Sequence, residues 1–358
     1  MRIEFYAAIK TAEPFLPAGT VIAREQTYVH TFYKKEATAQ QPATSKEEGN
    51  LVAFSGPDFK ATFDKQSGLL TSYLYKKHEY ILNGQGPRPF FWRAPTDNDY
   101  GANLPVRLKA WKEASYQEPK AESFQVTPGS NATTIKVTYR FPQTDARWDI
   151  TYKIYASGVI KVDNRFVAEG DQAPMIPRVG LRMQLPESFT DLTYYGRGPK
   201  ENYRDRRTSQ FIGEYAIPVK DMYEPYVRPQ ENNHRTDIYW CALTDKTQRG
   251  LLLIADRTFE LNTSNYPLES MDSGDTIDNS APRTEKTHHR HLTDPLPEKM
   301  VDLFIDYRMM GVGGDDSWGA TAHEPYLIRP GKENAIEYGF SLVPFDKKED
   351  YKYLIRQY

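Results

Sequence analysis

The segment TIKVTYRFPQTDARWDITYKIYASGVIKVDNRF (residues 134–166) contains three runs in which polar and apolar side chains alternate. The runs are 134–141, 148–155 and 159–166, and a period of two is typical of a β-strand with one buried face. Ser157-Gly158 separates the last two runs, and a tight turn that contains glycine commonly joins antiparallel strands. This stretch therefore predicts an antiparallel sheet.

Strand patterns continue along the chain, whereas helical periodicity is scarce. Residues 251–254, 300–307 and 335–342 are further strand candidates. The best helix candidate is short and lies around residues 104–111, where apolar residues follow spacings of four and three. Strands without intervening helices pack as antiparallel sheets. We therefore expect an all-β protein built as a large antiparallel sandwich.

The composition excludes several classes of protein. Among 358 residues, 46 Lys and Arg stand against 48 Asp and Glu, which gives a net charge of −2. A nucleic-acid or membrane-surface binder needs a basic excess, so we expect neither partner. The mean hydropathy is −0.70, and no apolar run reaches the ~18 residues of a membrane span. No signal-peptide pattern follows Met1, and the single cysteine, Cys241, excludes an internal disulfide.

A polar segment divides the chain. Residues 34–48 contain no large apolar residue, so we interpret them as a linker. Before the linker, residues 1–33 offer about two strands, at 3–9 and 21–32, and a two-stranded unit is marginal alone. After it, residues 49–358 are predicted to form one large β domain. We therefore interpret 1–33 either as the remainder of a larger domain or as strands that dock on the main body.

Two polar loops raise the question of bound ligands. Residues 97–99, Asp-Asn-Asp, offer the oxygen atoms that a hard cation prefers. Short polar side chains of this kind more often bond backbone amides in a turn, which is the interpretation that we favour.

Residues 194–207 combine glycines with many charges, including Glu201. They suit a loop that packs on a partner or covers a ligand, and the alternative is a solvated loop with weak internal ion pairs.

Residues 228–237 supply an amide, a carboxylate and an imidazole within a few positions. Glu231 and His234 are the acid and the imidazole. Sugar hydroxyls are bound by such groups, and the two side chains have the chemistry of a base and an acid. A lone Glu–His cluster is nevertheless more often structural than catalytic.

The segment GVGGDDSWG (residues 311–319) places one tryptophan, Trp318, on a glycine-rich loop. Glycines permit backbone conformations that other residues avoid, and a strand or helix would hold a core tryptophan better. We therefore interpret Trp318 as an exposed ring that stacks on a sugar. The alternative is a ring that fills a local gap.

Five motifs together carry a resemblance to a known family. They are FDKQSGLL (63–70), RAPTDND (93–99), GPKENY (198–203), DMYEPY (221–226) and GGDDSW (313–318). In this order they closely resemble the C-terminal domain of bacterial β-galactosidases of glycoside hydrolase family two, over about residues 49–345. Residues 17–26 look like the end of the immunoglobulin-like domain that precedes it in that family.

The resemblance implies a fold and a position in a larger enzyme. The fold is a large antiparallel β supersandwich similar to that of galactose mutarotases, preceded in residues 1–33 by a fragment of an immunoglobulin-like sandwich. The chain would then begin in the fourth of five domains. The family's two catalytic glutamates lie in a central barrel that no segment here resembles, so we assign no catalytic residue. Whether the chain alone is an enzyme stays open.

The resemblance also implies site residues and partners. Trp318 would form one wall of the galactose pocket, and the loop beginning at Gly198, with Glu201 and Asn202, would border it. Glu231 and His234 are further candidate substrate-binding residues. The implied partners are a galactoside, the missing N-terminal domains with the barrel, and a second copy of the chain in a homo-oligomer. Any Mg²⁺ and Na⁺ sites would lie mainly in other domains, so we predict no metal or cofactor here, and a location in the bacterial cytoplasm or periplasm.

Two other functions compete with this hypothesis. The first is a free-standing carbohydrate-binding module that uses Trp318 and the loop at 228–237. The second is a mutarotase-like aldose epimerase, in which Glu231 and His234 act as base and acid. Residues 269–297 are longer and more polar than the resemblance leads us to expect, so a family contact in that segment is not predicted.

Overall fold

The computed structural model describes residues 2–29, 40–169, 175–274, 291–316 and 318–357. These residues form nineteen strands, four short α-helices and several 3₁₀ turns. Among them, no helix combines the length and the apolar character that crossing a membrane requires.

The strands are β1 (Arg2–Ala8), β2 (Val21–Tyr28), β3 (Thr44–Glu48), β4 (Leu51–Ser55), β5 (Phe59–Asp64), β6 (Leu70–Tyr75), β7 (His78–Glu79), β8 (Arg88–Phe90), β9 (Ala121–Thr127), β10 (Thr133–Phe141), β11 (Ala146–Ile154), β12 (Ile160–Ala168), β13 (Arg178–Pro186), β14 (Asp191–Gly198), β15 (Phe211–Pro218), β16 (Arg235–Thr244), β17 (Gly250–Ser264), β18 (Met300–Met309) and β19 (Ile336–Phe345). The helices are α1 (Asp97–Gly101), α2 (Leu104–Arg107), α3 (Lys109–Tyr116) and α4 (Tyr351–Gln357), and the 3₁₀ turns are Pro142–Thr144, Val219–Asp221, Leu268–Met271 and Glu324–Tyr326.

Strands β1 and β2 form an antiparallel hairpin that is a compact unit by itself. Most of their side chains are exposed, including the apolar Phe5 and Ile22. The two strands predicted before the linker are therefore present. Their origin in an immunoglobulin-like domain stays a prediction.

The second unit is built on a large sheet in which every strand pair is antiparallel. Its main path runs β15-β14-β16-β17-β19-β12-β11-β10-β9. The long strand β17 divides this sheet: its residues 250–255 pair with β19, and its residues 260–264 pair with β18. Strand β18 continues to β13, which pairs with β8. The branch creates a second sheet surface, formed by β17, β18, β13 and β8.

A smaller sheet of five strands, in the order β3-β4-β5-β6-β7, packs against the large one. The rings of Phe63 and Tyr152 lie edge to face with centroids 5.0 Å apart, and the Tyr73 hydroxyl donates to the carbonyl of Gly158 at 2.5 Å. Apolar side chains of both sheets share one large core, and a second, smaller cluster, which includes Trp240, Leu252 and Val343, lies on β16, β17 and β19. The predicted all-β antiparallel sandwich is confirmed.

Strand β3 corrects the predicted linker. Thr44–Glu48 pair with β4 although all five side chains are exposed. An edge strand needs only backbone hydrogen bonds on one side, so the absence of apolar side chains does not prevent its formation. The linker prediction is wrong for these residues, and residues 34–39 lie outside the described part of the chain.

The other strand predictions agree with the structure. The three runs of the segment 134–166 correspond to β10, β11 and β12, and β11 and β12 form the predicted hairpin. The helix predicted at 104–111 is instead split into α2 and α3, with Leu108 between them in a non-helical conformation.

An aromatic cluster fixes the segment that leads to the candidate site. Phe91 is fully buried, and its ring centroid lies 5.0 Å from that of Trp111, 4.9 Å from Phe141, 5.5 Å from Trp148 and 5.4 Å from Phe166. The cluster joins the end of β8 and helix α3 to the large sheet. Residues 92–96, which follow immediately, are thereby held in place.

We predict that Phe91→Ala lowers the free energy of unfolding by about 3–5 kcal/mol, because it removes a buried ring and leaves a cavity. Urea unfolding followed by circular dichroism measures this change. Phe5→Ala, at a half-exposed ring, is the control and should change the value by less than about 0.5 kcal/mol. Equal effects of the two substitutions would show that the cluster does not stabilise the fold.

Candidate functional site

Trp318 stands out from the other tryptophans of the chain. Its ring is 88% exposed, whereas the other four tryptophans are at most 8% exposed. The backbone amides of Trp318 and Ala320 donate to Oδ1 of Asp316 at 2.9 and 3.2 Å. These bonds, first of all that from Trp318, lower the pKa of Asp316. The carboxylate thus folds the loop around the exposed ring, which points outward as expected from the glycine-rich sequence.

The base of the Trp318 loop (residues 311–319, of which residue 317 is outside the described set) is held by a buried arginine. Arg93 is 2% exposed and donates to both carboxylate oxygens of Asp99, at 2.7 and 3.0 Å. Its remaining donors bond the carbonyls of Met310 at 2.8 Å and Gly311 at 3.0 Å. A bidentate guanidinium–carboxylate pair of this kind is geometrically rigid. The position at which the loop leaves β18 is therefore fixed.

Asp99 also closes the turn before α1. Its Oδ2 accepts from the amide of Thr96 at 3.0 Å, and the Thr96 hydroxyl accepts from the amide of Asp99 at 3.2 Å. This reciprocal arrangement is a capping box. Asp97 instead pairs with Arg228. The predicted bonding of a side chain to a backbone amide is confirmed for Asp99, but residues 97–99 begin helix α1 and do not form an irregular turn. Both carboxylates are bound by protein groups.

The loop that begins at Gly198 contacts the Trp318 loop through Asp205. Oδ2 of Asp205 accepts from the amide of Gly313 at 2.7 Å. Its Oδ1 is buried and has no hydrogen-bond partner among the described residues. Gly198 itself lies against Tyr194, whose hydroxyl would collide with a β-carbon at that position. The glycine is thus required by packing.

Glu201 and Asn202 connect this loop to the segment that precedes β16 and to the start of β16 itself. Asn202 is fully buried, and its Oδ1 accepts from the amide and the hydroxyl of Thr236, at 3.0 and 2.6 Å. Oε2 of Glu201 accepts from the amide of Asn233 at 2.8 Å, and Oε1 accepts from Arg206 and Tyr226. Both predicted site residues therefore have structural partners, and their role toward a substrate stays a prediction.

An open groove of about 600 Å³ lies beside this loop. The residues that line it are Lys200, Glu201, Asp205, Arg206, Thr208, Ser209, Gln210, Glu224 and Tyr226. Two of the lining residues also hold the loops: Glu201 accepts from the amide of Asn233, and Asp205 accepts from the amide of Gly313 in the Trp318 loop. We call the groove and the Trp318 loop together the candidate sugar surface.

His234 lies in the interior and uses both ring nitrogens. Nδ1 is 2.6 Å from Oδ1 of Asn262, and Nε2 is 2.9 Å from Oε2 of Glu260. The Asn262 amide donates to Oε1 of Glu231 and to the carbonyl of Asn232, both at 2.8 Å, so its oxygen must face the histidine. Both ring nitrogens therefore face acceptors, which requires the charged imidazolium.

The charges around His234 agree with this protonation state. Burial disfavours the imidazolium, but the hydrogen bond and the negative charge of Glu260 outweigh it and raise the pKa of His234. Burial likewise opposes ionisation of Glu260, whereas His234 and Arg204 lower its pKa. Arg204 donates to Oε1 of Glu260 at 2.5 Å. His234 and Glu260 therefore form a buried ion pair, in which Arg204 contacts the second oxygen of the carboxylate.

Arg178 completes this interior polar network, which consists of Arg178, Glu231, His234, Glu260, Asn262 and Asp306. Arg178 is fully buried. Its guanidinium lies 3.2 Å from Oδ2 of Asp306 and 3.6 Å from Oε2 of Glu231, and it donates to Oδ1 of Asn262 at 2.9 Å. The cavity beside Arg178 and Glu231 measures about 30 Å³, which is room for water rather than for a sugar ring.

The structure therefore separates the predicted site residues into two groups. Trp318 is exposed on the candidate sugar surface, with Gly198, Glu201 and Asn202 in the loop beside it. Glu231 and His234 are buried and bonded within the interior polar network. Their position favours a structural role, and substrate binding by either residue stays a prediction.

The sequence did not single out several residues on which this arrangement depends. Arg93 lay inside a quoted motif and Asp205 inside the loop 194–207, but their partners Met310, Gly311 and Gly313 are far away in the chain. Asp306 lies in the strand candidate 300–307, whereas Arg178 and Glu260 lie outside every predicted strand. A charged residue within a predicted apolar strand was the available signal for Asp306.

Metal binding is not indicated by the described residues. Within the ranges that the structure covers, no group of three or more His, Cys, Asp and Glu side chains is arranged to hold a metal ion. The histidines at 288 and 289, part of the polar segment 269–297, lie outside those ranges. The absence of a cofactor stays a prediction.

Comparison with known proteins identifies sequence relatives. A sequence model of the family described as "Beta galactosidase small chain" matches residues 55–342. A beta-galactosidase of Priestia megaterium is 33% identical over 291 residues, which are 81% of this chain and 26% of that protein. A beta-galactosidase of Streptococcus thermophilus is 27% identical over 348 residues, 96% of this chain and 32% of that protein. The chain thus spans about a quarter to a third of the length of these relatives.

Among solved structures, a putative mutarotase from Salmonella typhimurium has a TM-score of 0.46 and 10% sequence identity, over 88% of this chain and 97% of that one. A putative aldose 1-epimerase from Escherichia coli has a TM-score of 0.43 and 10% identity, over 83% and 99%.

We predict that the interior polar network makes stability depend on pH through Asp306. Burial raises the pKa of Asp306 to about 7, although the charges of Arg178 and His234 oppose the shift. The folded state then binds more protons than the unfolded state below that pH, so this contribution to stability is lost as the pH rises through about 7. Asp306→Asn cannot lose a proton. Relative to the wild type, the free energy of unfolding of Asp306→Asn should therefore increase from about pH 5 to about pH 8.

Urea unfolding at both pH values measures this difference. Thr263→Ser, a buried residue of β17 that does not titrate, is the control, and its difference from the wild type should not change with pH. A difference for Asp306→Asn that is constant or decreases with pH would contradict the prediction.

Proposed function

Since the chain belongs to the beta galactosidase small chain family, we propose that it is the C-terminal, non-catalytic part of a β-galactosidase that hydrolyses terminal β-D-galactosides. In this proposal the chain supplies one wall of the galactose pocket. The catalytic carboxylates and the remainder of the pocket belong to the other domains of a glycoside hydrolase family two enzyme. The exposed ring of Trp318, on a loop held by one buried and one half-buried polar contact, is the observation that carries the proposal.

The distribution of tryptophan exposure supports a binding role for Trp318. A ring that is 88% exposed contributes little to the core, and its apolar face is available to the C–H face of a sugar. An indole is a large, rigid contact surface. The Asp205 and Arg93 contacts hold the loop without using the ring itself. The polar contacts of Arg93 and Asp205 therefore hold the loop in the conformation that exposes this side chain.

The relatives support the assignment of catalysis to other domains. They are named beta-galactosidases, and the matched region is a quarter to a third of their length. Retaining glycosidases need two carboxyl groups about 5–5.5 Å apart, one as nucleophile and one as acid/base. We assign neither role to a residue of this chain.

The two competing functions receive unequal support. A mutarotase-like reaction would require Glu231 and His234 to reach an aldose, but both are buried, and each bonds other protein groups. A free-standing carbohydrate-binding module is compatible with the exposed Trp318. It differs from our proposal by requiring measurable galactose binding by the isolated chain, which a single pocket wall would not give.

We predict that the isolated chain does not hydrolyse a chromogenic β-galactoside, because the catalytic carboxylate pair belongs to other domains. Absorbance measurements on the purified chain, with heat-treated protein as the control, test this. Turnover that is abolished when an acidic residue of this chain is replaced would refute the assignment of catalysis to other domains.

We predict that Trp318→Ala in the assembled enzyme raises KM about tenfold, since an aromatic contact with a sugar contributes roughly 1–2 kcal/mol. The melting temperature should stay unchanged, because the ring is exposed. Tyr353→Ala, at another exposed aromatic residue, is the matched control and should change neither quantity. An unchanged KM with a large fall in melting temperature would mean that the tryptophan packs in the assembled enzyme and does not bind sugar.

A further inference from the structure

A second cavity, of about 350 Å³, lies at the edge of the sheet surface formed by β8 and β13. Its polar lining includes Gln85, Arg88, Tyr116, Arg182 and Gln184. Its volume is within the range of ~300–1,000 Å³ that is usual for small-molecule sites. It shares no lining residue with the groove of the candidate sugar surface or with the Trp318 loop.

Two arginines lie side by side on the wall of this cavity. Arg88 of β8 and Arg182 of β13 are directly opposite each other in the register of the strands, and like charges in that relation repel. Arg182 is neutralised by the protein: it donates to both oxygens of Asp302 at 2.8 Å and to those of Glu269 at 2.5 and 2.8 Å. Two carboxylates therefore face one guanidinium, so the charge of Arg182 is more than compensated.

Arg88 has no carboxylate in direct contact. Its hydrogen bonds go to the backbone carbonyls of Ser115 and Gln117, and within the described ranges no carboxylate forms an ion pair with it. Burial, and next the positive charge of Arg182, lower the pKa of Arg88, although the more distant charges of Glu118 and Glu269 oppose the shift. A guanidinium in this position is stabilised by a carboxylate, which accepts two of its N–H groups at once.

Two neutral residues at the cavity also have unused hydrogen-bonding capacity. Gln85 and Gln184 line the cavity, and the described hydrogen bonds of both residues involve only their backbone atoms. A ligand that carries hydroxyl groups would bond both side-chain amides.

We propose that this cavity binds a hydroxylated monocarboxylate of monosaccharide size, with its carboxylate on Arg88 and its hydroxyls on Gln85 and Gln184. A neutral sugar would leave Arg88 without a carboxylate in direct contact. A dianion would approach Glu269 and Glu298, which also line the cavity. The site is independent of the function proposed above, because neither Trp318 nor the groove takes part in it.

The test compares D-galacturonate with D-galactose on the 358-residue chain, by isothermal titration calorimetry at low ionic strength. The two sugars differ in whether C6 is a carboxylate, so the comparison isolates the role of Arg88. Galacturonate should bind at least about tenfold more tightly than galactose. Equal affinities, or no binding of galacturonate, would overturn the proposal.

Two substitutions should act in opposite directions. Arg88→Gln removes the positive charge and should weaken galacturonate binding by about tenfold or more. Glu298→Gln removes a negative charge from the exposed rim of the cavity and should tighten it. Glu48→Gln, an exposed carboxylate on β3, is the matched control and should change nothing.

Glu298 is exposed, so its substitution keeps the proposal testable even if Arg88→Gln does not fold. A galacturonate affinity that is unchanged in Glu298→Gln, or that changes equally in Glu298→Gln and Glu48→Gln, would show that binding occurs elsewhere. The proposal would then be wrong.

Discussion

The buried guanidinium of Arg178 is the charge around which the second sheet surface is organised. It lies on β13, within 3.2 Å of Asp306 on β18 and 3.6 Å of Glu231, and its flat face covers the ring of Phe304 at 4.2 Å. A buried cation is costly unless its partners are in place. The relative positions of β13, β18 and the segment before β16 are therefore coupled to each other through one side chain.

This interior arrangement extends to the protein surface by a short series of hydrogen bonds. The carbonyl of His234 accepts from the amide of Asn202 at 2.8 Å, and Asn202 belongs to the same loop as Asp205. Asp205 in turn holds the amide of Gly313, five residues before Trp318. The position of the exposed ring is thus a consequence of buried contacts. A loop with glycines on both sides of the ring would otherwise sample many conformations.

The sequence predicted those features that depend on local pattern. Alternation in the segment 134–166 identified β10, β11 and β12, because one face of each strand packs into the core. The glycine-rich context of Trp318 indicated an outward ring, and the structure has it. Strand β3 was missed because an edge strand can form through its backbone while its side chains stay in solvent.

The polar contacts that hold the candidate site could not be read from the sequence. Arg178 and Asn262 are separated by 84 residues, Asp205 and Gly313 by 108, and Arg93 and Met310 by 217. Such pairs are brought together only by the order of strands in the sheet. A single sequence records each of these residues as one more charged or polar position, with nothing that identifies its partner.

The residues that suggest ligand binding therefore fall into two groups. In the first group the polar atoms are already bonded within the protein, and in the second group the side chain is still available to a ligand. Both nitrogens of His234 and the carboxylate of Glu231 are engaged by protein groups, so they stabilise the fold and have little capacity left for a ligand. The ring of Trp318 is exposed, and Arg88 lacks a described carboxylate partner at a cavity. Chemical character alone favours Glu231 and His234 as ligand-binding residues, whereas the remaining bonding capacity favours Trp318 and Arg88. We give the second criterion precedence, because a buried group that already has its partners would have to lose those bonds before it could bind anything else.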